Sequence, residues 1–124
     1  PADEFFVSLY ETALKSGEIV TSVTFPVPDM AGWSKFANLA SRFAIVAVMV
    51  SVTGSAVRVA VTGAKECVFR VADMEHALSV DFSPGAVSEI SVAVDELNDD
   101  HHADAEYRAH LITVLAERAV ASCG

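Results

Sequence analysis

The chain has 124 residues, 52% of them hydrophobic and 20% charged, with eight Lys+Arg against seventeen Asp+Glu and a formal net charge of −9. With a mean hydropathy of +0.41 it has enough apolar surface to offset its ordering entropy, which excludes disorder as the dominant state. The negative charge repels nucleic acid and anionic membrane, and the apolar run Ala44–Val50 is far short of the roughly 20 residues that span a bilayer.

The length suits one domain covering 1–124. Its first half reads as strands and its second as helices, an α+β segregation. Phe6, Leu9, Tyr10, Ala13 and Leu14 recur at helical spacing and predict a short helix ended by Ser16-Gly17. From Glu18 to Phe25, Ile19, Thr21, Val23 and Phe25 alternate with Val20, Ser22 and Thr24, predicting a strand that Pro26-Val27-Pro28-Asp29 stops. A second strand is expected from Trp33 to Leu39, with Trp33 and Phe36 in the core or at an interface.

Two β-branched runs follow, Phe43–Thr53 and Ala56–Thr62, joined by Gly54-Ser55. A two-residue II′ turn places glycine first, where φ is positive, and so fixes the register: 53 opposite 56, 52 with 57, 50 with 59, 48 with 61. The last three pairs are all Val–Val and share one face, predicted to be buried against helices. Helices are then expected over Ala72–Ser79 and, from an N-cap at Ser83-Pro84, to Leu97. Asp104 caps a last helix whose inward stripe is Tyr107, Leu111, Val114, Leu115 and Ala119, with Glu106 and Glu117 outside.

Few residues suggest chemistry. The six glycines are scattered at 17, 32, 54, 63, 85 and 124, so no glycine-rich loop lets backbone amides close on a phosphate. Asp99, Asp100, His101, His102 and Asp104 are metal-ligand types, but neighbours in one loop rarely converge on a single centre and no distant His–Cys set completes a shell. Capping and solvation are expected there, and no metal. Glu106 with His110 reads as a surface i, i+4 contact. No Lys or Arg lies between Arg70 and Arg108, and the ten carboxylates of that stretch read as a hydrated helical surface, or else as a docking face for a basic partner or divalent cation. Cys67 and Cys123 lack C-x-x-C spacing and read as free thiols, which points to a reducing compartment, the cytoplasm, in line with the lack of a secretory signal. Glu66 beside Cys67 argues against a nucleophile there.

Three stretches together carry a family resemblance. They are Phe5-Phe6 with Tyr10–Leu14 and Gly17-Glu18-Ile19-Val20; Lys35-Phe36-Ala37 followed by Ser41–Val46; and Ala105–Leu111. In that order they resemble the C-terminal domain of the FAD-binding medium subunit of molybdenum hydroxylases, the family of carbon monoxide dehydrogenase, xanthine dehydrogenase and aldehyde oxidase. The resemblance implies three or four antiparallel strands with about three helices on one face. It also implies a role in passing electrons from iron–sulfur clusters through FAD to an acceptor. In that family the flavin is held mainly by a separate N-terminal domain with glycine-rich loops, which this chain lacks. The implied partners are that FAD-binding N-terminal domain and the molybdopterin and iron–sulfur subunits; a homo-oligomer is also compatible. No catalytic residue and no autonomous active site are expected.

By the same resemblance Val20 approaches the flavin. A family lysine near the cofactor falls at Ala37, a departure, but Lys35 lies two residues earlier on the same strand face and would supply the charge that offsets a phosphate or reduced flavin. Arg42-Phe43 departs from the family's Gly-Asp before Phe, and Tyr107 and Arg108 are expected to fix the last helix. The rival reading is a stand-alone acidic interaction or oligomerisation module that kept the fold and lost the redox role.

Overall fold

The computed structural model describes residues 1–124. Its elements are α1 (Ala2–Phe5), β1 (Phe6–Ser8), β2 (Glu11–Thr12), β3 (Met30–Ala37), β4 (Ala44–Thr53), β5 (Ala56–Thr62), β6 (Phe69–Arg70), α2 (Ala72–Val80), a 3₁₀ turn (Pro84–Val87) and α3 (Ala105–Ala121). β3, β4, β5 and β6 pair in that order, each antiparallel to the next, while β1 and β2 form a separate two-stranded ribbon.

The β4–β5 hairpin follows the register that its turn dictates. Thr53 lies opposite Ala56, and Val52, Val50 and Val48 lie opposite Val57, Val59 and Val61. Gly54 has φ +59 while Ser55 stays at negative φ, the pattern of a II′ turn. Val48, Val50, Val59 and Val61 are wholly buried, together with Met74 of α2 and Ile112, Ala116 and Ala119 of α3. At about 25 cal/mol per Å² of apolar surface withdrawn from water, this one-sided packing is the main force joining sheet to helices. α3 approaches β3 so closely that a Cβ on Gly32 would lie 1.9 Å from the carbonyl oxygen of Ala119. Only glycine fits between the two backbones.

α3 is capped as its sequence requires: the side chain of Asp104 accepts from the Tyr107 N–H at 2.7 Å. Leu111, Leu115 and Ala119 face the core and Val114 is half-buried, but Tyr107 lies in the open, edge-on to Phe36 with ring centroids 6.0 Å apart. Trp33, 52% exposed, also stays outside the core.

Three expected elements differ. The stripe Phe6–Leu14 forms the β1–β2 ribbon, reversed at Tyr10 with φ +59, because no core faces it and a helix there would have nothing to pack against. Residues 18–28 run without a turn or bend but form no strand, since no second strand lies alongside. After Ser83-Pro84 a single 3₁₀ turn replaces the expected helix to Leu97: its β-branched residues are poor helix formers, and Val87 and Leu97 anchor the two ends of an irregular segment in the core. Ser83 Oγ donates to Asp81 rather than capping.

Candidate functional site

Between Phe36 and Ala37 the β3–β4 register slips by one, leaving Ile45 without a cross-strand partner. Its carbonyl accepts from Nη1 of Arg108 at 2.7 Å, and the same nitrogen reaches the Gly63 carbonyl at 3.1 Å. Arg108 Nε donates to the Ala103 carbonyl and Nη2 to Asp100 at 2.9 Å. This buried guanidinium ties α3 to the bulge, to the end of β5 and to the 98–104 loop, the role its place in the third motif suggests. Asp100 is held below the usual carboxylate range, chiefly by the His102 N–H; burial opposes this, and the Ala103 N–H and Arg108 add to the lowering. Both its oxygens are therefore engaged, and His102 Nδ1 lies 3.1 Å from the side-chain nitrogen of Asn38. Asp100, His102 and Asp104 are thus engaged in internal bonds, and no group of three or more His, Cys, Asp or Glu is placed to hold a metal.

At the opposite edge of the sheet β6 is only two residues long, so the Val59 N–H finds a side chain instead of a strand. Glu75 Oε1 accepts from it at 3.0 Å and from Arg70 Nε at 2.8 Å, while Oε2 accepts from Arg70 Nη2 and lies 4.0 Å from Arg58. Burial by itself would raise the Glu75 pKa; the Arg70 and Val59 hydrogen bonds and the two guanidinium charges outweigh it and leave the carboxyl below its ordinary value. The acidic stretch is accordingly not one hydrated surface: Glu75 is buried, Asp100 is paired, Asp104 caps and Glu96 binds Lys65. Sequence reading missed Glu75. Its signal was the five-residue step from Arg70, which brings a strand-end guanidinium onto the first turn of the next helix.

The residues singled out for cofactor contact are dispersed. Lys35 and Ala37 lie on β3, opposite Ala47 and Ala44. Lys35 is exposed, on the sheet face away from the helices, and its Nζ donates to the Arg42 carbonyl at 3.4 Å. The same face carries Trp33 opposite Met49 and Met49 opposite Ala60, an uncovered row of apolar side chains. Val20 lies in the 18–28 segment, half exposed, with no hydrogen bond to either. A hollow of about 460 Å³ between the β1–β2 ribbon and the loop after β5 is lined by Phe6, Tyr10, Thr62, Glu66 and Cys67 and includes none of the three. Ser8 Oγ donates to Glu66 across it at 3.1 Å. Glu106 and His110 line a shallow groove with Glu89 and make no hydrogen bond to each other. Both cysteines are free and half-buried, and burial raises the pKa of the Cys123 thiol. No helix is long and apolar enough to cross a membrane.

This arrangement offers one side of a binding surface, apolar around Trp33 and Met49 with Lys35 and the half-exposed Arg58 on the same face, and no enclosed cavity for a nucleotide. No protein-family model matches the sequence. The medium subunit of nicotine 6-hydroxylase from Paenarthrobacter nicotinovorans is 35% identical over 133 residues, which cover 99% of this chain and 47% of that subunit. The structure of quinoline 2-oxidoreductase from Pseudomonas putida 86 superposes with a TM-score of 0.74 at 21% identity, over 95% of this chain and 45% of the other. Carbon monoxide dehydrogenase from Oligotropha carboxidovorans gives 0.71 at 20% identity, over 96% and 46%. The chain spans about half the length of the proteins it matches.

Proposed function

We infer that this chain, a relative of the FAD-binding medium subunits of molybdenum hydroxylases with the fold of their C-terminal domain, acts as the accessory domain of such a subunit, one unit over residues 1–124. The observation that carries this reading is the match along 99% of the chain to less than half of a medium subunit. The flavin is then held mainly by the half this chain does not span, where the phosphate-gripping loops belong. When bound, FAD supplies the relay of electrons from iron–sulfur clusters to an acceptor.

The residues here fit a wall beside a flat ring. Trp33 and Met49 leave an apolar sheet face open, Lys35 adds a positive charge, and neither a glycine-rich loop nor a closed cavity competes for the pyrophosphate. Val20, Lys35 and Ala37 are the positions that would face it, with Lys35 offsetting negative charge on a phosphate or reduced ring. The remaining partners are the molybdopterin and iron–sulfur subunits, and the compartment is the cytoplasm, as the two unpaired thiols favour.

Titrating the isolated chain with FAD tests this directly. The expected result is no saturable one-to-one quenching of flavin fluorescence. Tight stoichiometric binding would place the flavin site within these residues and overturn the reading.

A further inference from the structure

Residues 19–28 make no hydrogen bond to any other part of the chain, through backbone or side chain. The segment follows a local turn and is fastened to the sheet at its far end. Glu18 N–H bonds to the Lys15 carbonyl and the Glu18 carboxylate accepts from the Lys15 N–H. Beyond its far end the Asp29 N–H bonds to the Val52 carbonyl, and Asp29 Oδ2 accepts from the Gly54 N–H. Between the turn and Asp29 it carries no charge, and in an extended chain Ile19, Thr21, Val23 and Phe25 share one side. Ile19 is 79% and Phe25 77% exposed. Pro26, which lacks an N–H, marks where pairing must stop. A row of free backbone donors and acceptors on a β-branched segment is a template for another strand.

We propose that Ile19–Phe25 is a β-addition edge that pairs with a sheet strand of the flavin-holding half of a medium subunit. The proposal rests on the function proposed above and names the contact through which the two halves join. The occupant follows from length and charge. The matched medium subunit is about twice as long as this chain, so a second body of comparable size accompanies the fold there. A second copy is the poorer occupant, since each carries −9 and like net charges repel. Pairing would withdraw Ile19, Val23 and Phe25 from water and bring Val20 up to the partner domain.

The experiment is amide hydrogen exchange, measured on the isolated chain and on a hybrid in which this chain replaces the matched stretch of the nicotine 6-hydroxylase medium subunit. In the isolated chain the amides of 19–25 exchange at the rate of unstructured peptide. In the hybrid, alternate amides slow by about tenfold or more. Val23→Pro removes that protection and leaves the melting temperature of the isolated chain unchanged, whereas Val27→Pro, beyond the pairing stretch, leaves the protection in place. A hybrid that retains flavin with 19–25 unprotected overturns this proposal and spares the functional reading. Protection without flavin does the reverse, and neither protection nor flavin overturns both. Protection already present in the isolated chain, with sedimentation as a dimer, makes a second copy the occupant and overturns the proposal.

Discussion

Val50 and Val23 both sit in alternating β-branched runs, yet Val50 is wholly buried and Val23 is 65% exposed. The difference lies in what each run meets next. Val50 belongs to a run that turns through Gly54-Ser55 and returns as its own partner, satisfying its backbone locally and presenting a valine face to α2 and α3. Val23 is followed by Pro26 and Pro28, which prevent a tight return, so its run enters β3 without a neighbour. Alternation specifies a strand only where the chain, or something outside it, supplies the other half of the ladder.

The contrast can be broken most forcefully at the contact between α3 and β3. Gly32→Leu should cost about 3 kcal/mol or more, read as a large fall in melting temperature, because its Cβ would overlap the Ala119 carbonyl. Arg108→Met should cost about 3 kcal/mol in chemical denaturation, since it removes a buried donor shared by the Ile45, Gly63 and Ala103 carbonyls and leaves Asp100 without its counter-charge.

Glu75→Gln should cost about 1–2 kcal/mol at neutral pH, discounted because Arg70 and Arg58 are partly exposed. Its pH signature is more telling. The folded-state pKa of Glu75 lies below the unfolded one, so its contribution is complete above the ordinary glutamate value of about 4.3 and disappears as pH falls through the lower folded value. The variant should therefore show a flatter loss of stability in acid, measurable by denaturation between about pH 5 and pH 2. Asp104→Ala should remove the α3 cap at about 1 kcal/mol, visible as a modest melting shift. At the other end of the scale, Phe25→Ser should change the stability of the isolated chain by less than about 0.5 kcal/mol, whereas a change from valine to serine at Val48, Val50, Val59 or Val61 would be severe.

The same distinction explains what the sequence disclosed. The β4–β5 register, the cap at Asp104 and the α2 and α3 helices were legible because turn chemistry, capping and periodicity act within a few residues. The ribbon at Phe6–Thr12 was misread, since five apolar residues at helical spacing say nothing about whether a core lies opposite them. The region after Ser83 was misread for a related reason: its N-terminal signal was present, but β-branched residues and two distant anchors, Val87 and Leu97, left only one turn. Arg108 could be assigned to α3 from its motif. Its reach to Ile45 and Gly63 could not, because it depends on a bulge that no local pattern announces. Val20, Lys35 and Ala37 came from family likeness alone, and nothing in their local chemistry sets them apart.

The Arg108 anchor has an implication for how such a domain diversifies. Three of the four groups it grips are main-chain oxygens, those of Ile45, Gly63 and Ala103. A carbonyl is supplied by any amino acid, so the clasp itself does not depend on which side chains stand at 45 and 103. Position 108 has no such latitude: a lysine offers one nitrogen in place of a planar fork, and cannot span four acceptors from one spot.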